Sequence, residues 1–236
     1  MLPFSTILVP KGAEYGAVCR GLRRIDRPPA VVAIPAGPKS ASRFLQQWLC
    51  NQSADRTPHA VLLMGLCGSL TARLTVADAV LYEMCRAVSG VSIASLTPET
   101  NDLAVCDPEL TDWIDQRLQG QVERVKGASC DRVICTATEK QQLGQQSGAD
   151  VVDMEGFAAL TDLRQAGIPG TMLRVISDGC DRNLPNLNLA LDADGNLKPQ
   201  TLALAMLQQP GPALQLIQGS LQGLAKLQTL TYQLFG

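Results

Sequence analysis

A chain of 236 residues, 46% hydrophobic and 18% charged, has ample material for a core and lies outside the composition of disordered proteins. No Pro/Ser-rich linker interrupts it, so a single domain over 1–236 is expected. The net charge of −2, with 20 basic residues scattered along the chain, excludes the electrostatic footprint of a nucleic-acid binder.

Met1-Leu2-Pro3-Phe4 leads into an apolar stretch with no charged n-region and no small-residue cleavage site, which predicts a cytoplasmic protein. Thr6 to Val9 reads as a short strand ending at Pro10, and Ala30 to Ile34 as a second ending at Pro35-Ala36-Gly37. Ser40 to Leu49 places Phe44, Leu45, Trp48 and Leu49 at helical spacing behind a serine start. Ala60 to Met64 is a third strand, closed by Gly65. Further on, Ala149 to Val152 reads as a strand, Glu155 to Gln165 as a helix stopped by Gly167-Ile168-Pro169, and Thr171 to Ile176 as another strand. The alternation predicts an α/β fold with a mixed, mostly parallel central sheet flanked by helices. Ligands of such sheets sit beyond the carboxyl ends of the strands, which directs attention to Glu14, Gly65 to Ser69, Asp153 to Gly156, and Ser177-Asp178.

The tail is rich in Leu and Gln, with a Leu-rich helical region over about 200–235. Leu214, Ile217, Leu221, Leu224, Leu227, Leu230 and Leu234 recur every three or four residues. Packing on the sheet is the plain reading of this stripe; a partner or lipid-facing surface is the other.

Several lookalikes fail. Gly37-Pro38-Lys39-Ser40 resembles the end of a phosphate-binding P-loop but lacks the glycine five residues earlier, and no dinucleotide-binding glycine pattern is present, so no cofactor is expected. Eight cysteines stand singly with one histidine, His59, to help them, so no metal site is expected and most read as small buried thiols. Gly65-Leu66-Cys67-Gly68-Ser69 could be a nucleophile elbow, which would make the protein a Cys-dependent hydrolase. His59, however, enters the same strand, about 26 Å from Cys67 if extended at about 3.3 Å per residue.

Val151-Val152-Asp153-Met154-Glu155-Gly156 and Arg174-Val175-Ile176-Ser177-Asp178 each place a carboxylate where an apolar strand ends, a position at which burial can shift its pKa. The competing reading makes Asp153 a helix cap and Asp178 a turn residue. These two segments occur in order with Gly12-Ala13-Glu14, Met64-Gly65-Leu66-Cys67-Gly68-Ser69-Leu70 and Ser129-Cys130-Asp131-Arg132-Val133-Ile134. Over roughly residues 5 to 182 the chain thereby resembles the nucleoside phosphorylase and nucleosidase family, especially its methylthioadenosine/S-adenosylhomocysteine nucleosidase branch.

The resemblance implies cleavage of the N-glycosidic bond of a purine nucleoside of the adenosine type, by phosphate or by water, in a homo-oligomer. It implies that Glu155 accepts hydrogen bonds from the ribose hydroxyls with Met154 against the sugar, that Asp178 supports protonation of the purine at N7, and that Glu14 activates water. Val133 and Ile134 match the segment whose backbone faces the base, and Ser177, Gly65, Cys67 and Gly68 complete the substrate-binding set. Asp181-Arg182-Asn183-Leu184-Pro185, the segment 190–195 and the Leu-rich helix resemble hopanoid-associated phosphorylases, which implies a lipid-linked adenosyl substrate.

The chemistry suits these residue types. Breaking a glycosidic bond builds positive charge on the sugar and negative charge on the base, so carboxylates near the first and a proton source near the second lower the barrier. Departures from the family are Leu66 in place of a small hydroxyl residue, Leu63 in place of an arginine, and Val133 in place of an aromatic ring. The first two weaken phosphate binding at the glycine segment unless Arg43 or Arg86 restores it. A non-catalytic nucleoside-binding protein that keeps the fold is the alternative.

Overall fold

The computed structural model describes residues 2–52, 57–88, 102–190 and 199–236. β1 (Thr6–Pro10) is buried at every position, as a strand covered on both faces must be. It is followed by α1 (Ala13–Leu22), β2 (Ala30–Ile34), α2 (Pro38–Cys50) and β3 (Val61–Ser69). Residues 79–147 supply elements that the periodicity of the sequence does not announce: β4 (Ala79–Val88), β5 (Leu103–Val105), α3 (Pro108–Leu118), β6 (Val122–Cys130) and α4 (Ala137–Ser147). The chain then forms β7 (Val151–Asp153), α5 (Gly156–Gln165), β8 (Gly170–Asp178), a 3-10 turn at Leu187–Ala190, α6 (Pro199–Gln208) and α7 (Pro210–Phe235).

The eight strands form one sheet in the order β2-β1-β3-β7-β6-β4-β5, with β8 paired to both β3 and β4. Five strands, β3, β8, β4, β6 and β7, therefore close on themselves. Pairing is parallel for β1 with β2 and β3, for β3 with β8, and for β6 with β4 and β7. It is antiparallel for β3 with β7 and for β4 with β5 and β8. The mixed, mostly parallel sheet is as expected. One apolar layer joins the sheet to α1, α3 and α7, and a second joins it to α2 and α5.

Three boundaries differ from expectation. Gly65 does not close β3, which runs on to Ser69 because Gly65 to Gly68 pair with β8 and Gly68-Ser69 with β7. The second helix begins at Pro38 behind Gly37, not at Ser40, since proline suits a first helical turn. β8 extends through Ser177 to Asp178, so Asp178 ends a strand and does not begin a turn.

The Leu-rich stripe divides in two along α7. Leu227, Leu230 and Leu234 are fully buried against the sheet, each contributing about 1.5–3 kcal/mol through burial. Leu214, Ile217 and Leu221 are 57%, 43% and 62% exposed. Among the described residues no helix is long and apolar enough to cross a membrane. Residues 191–195, on which part of the likeness to hopanoid-associated phosphorylases rests, lie outside the described residues.

Candidate active site

Where β7 passes into α5, Asp153 Oδ1 accepts the Gly156 N–H at 3.1 Å, although the N-cap position of the helix belongs to Glu155. Asp153 has further partners. Oδ1 accepts the Ser129 hydroxyl, Oδ2 stands 3.1 Å from Arg174 Nη2, and both side chains of this ion pair are 1% exposed. Ser129 Oγ in turn accepts the Phe157 N–H at 2.8 Å, which ties the end of β6 to the start of α5.

Glu155 sits at the N-cap position of α5 without capping it. Its Oε1 accepts the Gly37 N–H at 2.9 Å. Gly37 has φ +85°, a conformation that side-chain-bearing residues avoid, and this turns its amide toward Glu155. The amide exposed by the failed P-loop lookalike thus serves a carboxylate. Burial pushes the Glu155 carboxyl up from its ordinary value, against the pull of Arg174.

Glu14 lies in the first turn of α1. The residue is partly exposed, yet its carboxyl end turns inward and Oε1 accepts the Leu66 N–H at 2.6 Å. Burial pushes its carboxyl up to about 7. The Leu66 amide and Arg174 oppose this, while the negative charges of Glu155 and Asp153 reinforce it. Gly65 makes the convergence possible, because a Cβ there would lie inside contact distance of Arg174 Nη1 and 2.7 Å from Glu14 Oε1. The fully buried Arg174 guanidinium is therefore the shared countercharge of Glu14, Asp153 and Glu155.

Three residues farther along β3, Gly68 pairs with Asp178, and a Cβ at Gly68 would lie 2.9 Å from Asp178 Oδ2. Glu14 and Asp178 thus meet the same strand, at Leu66 and Gly68. The Asp178 surroundings are not simply apolar, as expected from its strand. Lys140 of α4, 1% exposed, forms an ion pair with Oδ2 and donates to Gly179 O at 3.0 Å and Arg182 O at 3.3 Å. Ser177 Oγ stands 2.8 Å from Asp178 Oδ1 and 3.2 Å from Cys67 O.

A small pocket of about 70 Å³ is lined by residues that include Gly68, Arg132, Val133, Ile134, Met154, Asp178 and Leu184. A larger cavity of about 520 Å³ adjoins it at Asp178 and Leu184 and includes Ser177, with Gln215, Gln218 and Gln222 of α7 on the far side. The Val133 peptide is gripped by Asn188, whose carboxamide accepts from Val133 N and donates to Val133 O, both at 2.9 Å. Leu184 N donates to Cys135 O at 2.7 Å, and Asn183 Oδ1 accepts from Ala137 N at 2.8 Å. The chain after β8 is thereby stitched onto residues 133–137, which joins Asp178 and the Val133-Ile134 segment in one unit.

Of the expected site residues, Glu14, Glu155 and Gly65 gather around Arg174, and Asp178, Met154, Val133, Ile134 and Gly68 gather around the small pocket. Cys67 supplies its carbonyl to Ser177, but its thiol is packed among core residues and burial pushes it far above the usual thiol range. That disfavours a thiolate nucleophile, and all eight cysteines are free. Leu63 is core, and the side chain of Leu66 faces Gly223 of α7. Arg174 and Lys140 were not singled out as site residues from the sequence. The only signal for Arg174 was an arginine inside a strand of otherwise apolar residues; Lys140 had none.

The sequence profile of the phosphorylase superfamily matches residues 12–208. No curated protein sequence matches the chain. Among solved structures, the 5′-methylthioadenosine/S-adenosyl homocysteine nucleosidase of Helicobacter pylori superposes with a TM-score of 0.67 at 16% identity, covering 95% of this chain and 96% of that one. The futalosine hydrolase of Helicobacter pylori gives 0.67 at 16% identity, covering 95% of each chain. The corresponding nucleosidase of Campylobacter jejuni gives 0.60 at 14% identity, covering 91% and 96%.

Proposed function

The chain belongs to the phosphorylase superfamily and is an enzyme of it, and we propose that it cleaves the N-glycosidic bond of a purine nucleoside of the adenosine type, with water as the nucleophile. The observation that carries this reading is Glu14, a buried carboxyl raised to about 7 and anchored on the Leu66 N–H beside Arg174. A base with that value is half ionised near neutral pH, the condition for drawing a proton from water.

In this reading the C1′–N9 bond breaks as water adds to C1′ and gives its proton to Glu14. Glu155 accepts hydrogen bonds from the ribose hydroxyls while Met154 lies against the sugar, so negative charge faces the developing oxocarbenium ion. Asp178 gives a proton to N7 of the departing base beside Val133 and Ile134, so the base leaves neutral and Asp178 is left as the carboxylate that Lys140 faces. The name of the Helicobacter pylori nucleosidase favours an adenosine-type substrate. Phosphorolysis is the less favoured route, because Leu63 is core and Leu66 faces α7, leaving neither to hold an oxyanion.

A lipid-linked adenosyl substrate is a second reading. It is supported by the exposed leucines at 204 and 207 of α6 and at 214 and 221 of α7. The same face would equally serve a homo-oligomer. The deciding experiment incubates the purified protein with adenosine and methylthioadenosine, with and without phosphate, and follows free base and sugar product. Base with free sugar in both conditions is expected; sugar 1-phosphate as the sole product would exclude the hydrolytic reading.

A further inference from the structure

The cavity of about 520 Å³ lies at one end of the small pocket. The two share Asp178 and Leu184, and the lining of the cavity includes neither Met154 nor the carboxylates Glu14 and Glu155. Three fixed segments wall it. α7 meets the end of β8 so closely that a Cβ at Gly219 would lie inside contact distance of Ser177 O. The turn at 72–76 is pinned beside β8, because Ala77 N donates to Ile176 O and Ile176 N to Asp78 O, both at 2.9 Å. Residues 179–184 are held by Lys140 on Gly179 O and Arg182 O, and by Leu184 N on Cys135 O. A preformed space of this size falls within the range of small-molecule sites, about 300–1,000 Å³.

Gln215, Gln218 and Gln222 recur at helical spacing beside Gly219, so their carboxamides line the α7 wall together. Among the described residues none of the three has a hydrogen-bond partner. A carboxamide both donates and accepts. Asp181 and Arg182 stand 4.0 Å apart and offset each other, and Asp178 is answered by Lys140. Leu74, Val76, Leu184 and Leu216 add apolar surface. Such a lining suits an uncharged group, a short carbon chain that ends in a hydroxyl or an amide. The exocyclic amine of a 6-aminopurine lies on the same edge of the base as N7, and it can carry a chain and still keep one hydrogen.

We propose that this cavity is a subsite for a substituent on the exocyclic amine of the purine, so that the substrates include adenosines whose 6-amino group bears a short chain ending in a hydroxyl or an amide. The proposal deepens the reading of the reaction given above and rests on its placement of the base, with N7 toward Asp178 and the ribose toward Glu155. In that placement the sugar extends toward Met154, away from the cavity, and position 6 faces past Asp178 and Leu184 toward α7. The carbon chain lies on Leu184 and Leu216, and its polar end meets the carboxamides of Gln218 and Gln222.

The test measures affinities for adenine and 6-(2-hydroxyethylamino)purine by titration calorimetry, and kcat/KM for the two ribosides, in the wild type and in the double variant Gln218→Ala with Gln222→Ala. Both glutamines are exposed on α7, so the double variant is expected to fold. The wild type is expected to bind the substituted base at least as tightly as adenine. In the double variant the ratio of the two affinities should fall by about 2- to 10-fold, the scale of one neutral hydrogen bond. A wild type that binds the substituted base less tightly than adenine would overturn the proposal, and so would a ratio unchanged in the double variant. 8-(2-Hydroxyethylamino)adenine is the comparison arm: if it binds more tightly than the 6-substituted base, the cavity serves position 8 and the assignment falls. Binding of neither adenine nor its 6-substituted form would remove the placement of the base and the subsite with it. The expected ratios without cleavage of either riboside would instead remove the proposed reaction and leave the subsite standing.

Discussion

Glu14 and Arg174 meet over Gly65, at the point where the first turn of α1 crosses β3. The close approach leaves no room for a methyl group, since a Cβ at Gly65 would lie 2.7 Å from Glu14 Oε1 and closer still to Arg174 Nη1. Both groups have other fixed partners, Leu66 N–H for Glu14 and Asp153 for Arg174, so neither can withdraw freely. Gly65→Ala is expected to cost about 1–3 kcal/mol in stability through overpacking. Turnover should fall more than stability suggests, because Glu14 is displaced from its station. Chemical denaturation and steady-state kinetics on one preparation check both, and normal turnover with normal stability would show that the two side chains yield easily.

Glu14 also gives opposite pH trends for stability and activity. Its carboxyl lies at about 7 in the folded protein, above an ordinary value of 4.5, with burial as the main cause. Between these values the folded state binds more protons than the unfolded chain. The stability associated with this proton is present below about 4.5 and lost as pH rises toward 7, by at most on the order of 3 kcal/mol. As the base, Glu14 must lose that same proton, so activity should rise with pH through about 7. Glu14→Gln should abolish this acidic limb, lower turnover sharply and flatten the stability profile. A rate that is already maximal at pH 5 would exclude Glu14 as the titrating base.

Removing the shared countercharge has a different signature. Arg174→Met leaves Asp153, Glu155 and Glu14 buried without it, and breaking such a pair from one side costs about 3–5 kcal/mol. For a chain of this size the melting temperature should fall by roughly 6 to 20 °C. Adding Asp153→Asn should recover part of the loss, since the two residues interact directly. Strict additivity in calorimetric melting would deny the coupling between them.

How far the site could be read from the sequence follows from the range of each interaction. Val151-Val152 before Asp153 and Val175-Ile176 before Ser177-Asp178 mark strand ends by local pattern, and the sheet topology then brings β3, β7 and β8 together. The continuation of β3 through Gly65-Leu66-Cys67-Gly68-Ser69 was hidden because glycines signal turns locally, whereas here their small size is set by Arg174, Glu14 and Asp178 arriving from elsewhere. Lys140 is 38 residues from Asp178 and looks like any surface lysine of a polar helix, in a segment that includes Glu139, Gln141 and Gln142. Arg174 finds Asp153 across 21 residues. Such pairings depend on tertiary structure and leave no periodicity behind.

The two remaining carboxylates separate kinetically. Asp178 faces the pocket bounded by Val133 and Ile134, and its proposed task is confined to the departing base. Proton handling of this kind is worth about 10²- to 10⁴-fold, so Asp178→Asn should raise the cleavage barrier by roughly 3 to 5 kcal/mol. The asparagine amide can still hydrogen-bond the base, so the Michaelis constant should change much less. Glu155 is held by Gly37 N–H and proposed to bind the ribose hydroxyls both before and during bond breaking. Glu155→Gln should therefore raise the Michaelis constant and lower kcat together. Because Glu155 also shares Arg174 with Asp153 and Glu14, its variant needs a melting curve beside the kinetics. Steady-state assays on adenosine or methylthioadenosine distinguish the two patterns. A folded Asp178→Asn variant with undiminished kcat would reduce Asp178 to the partner of Lys140, a structural ion pair at the end of β8.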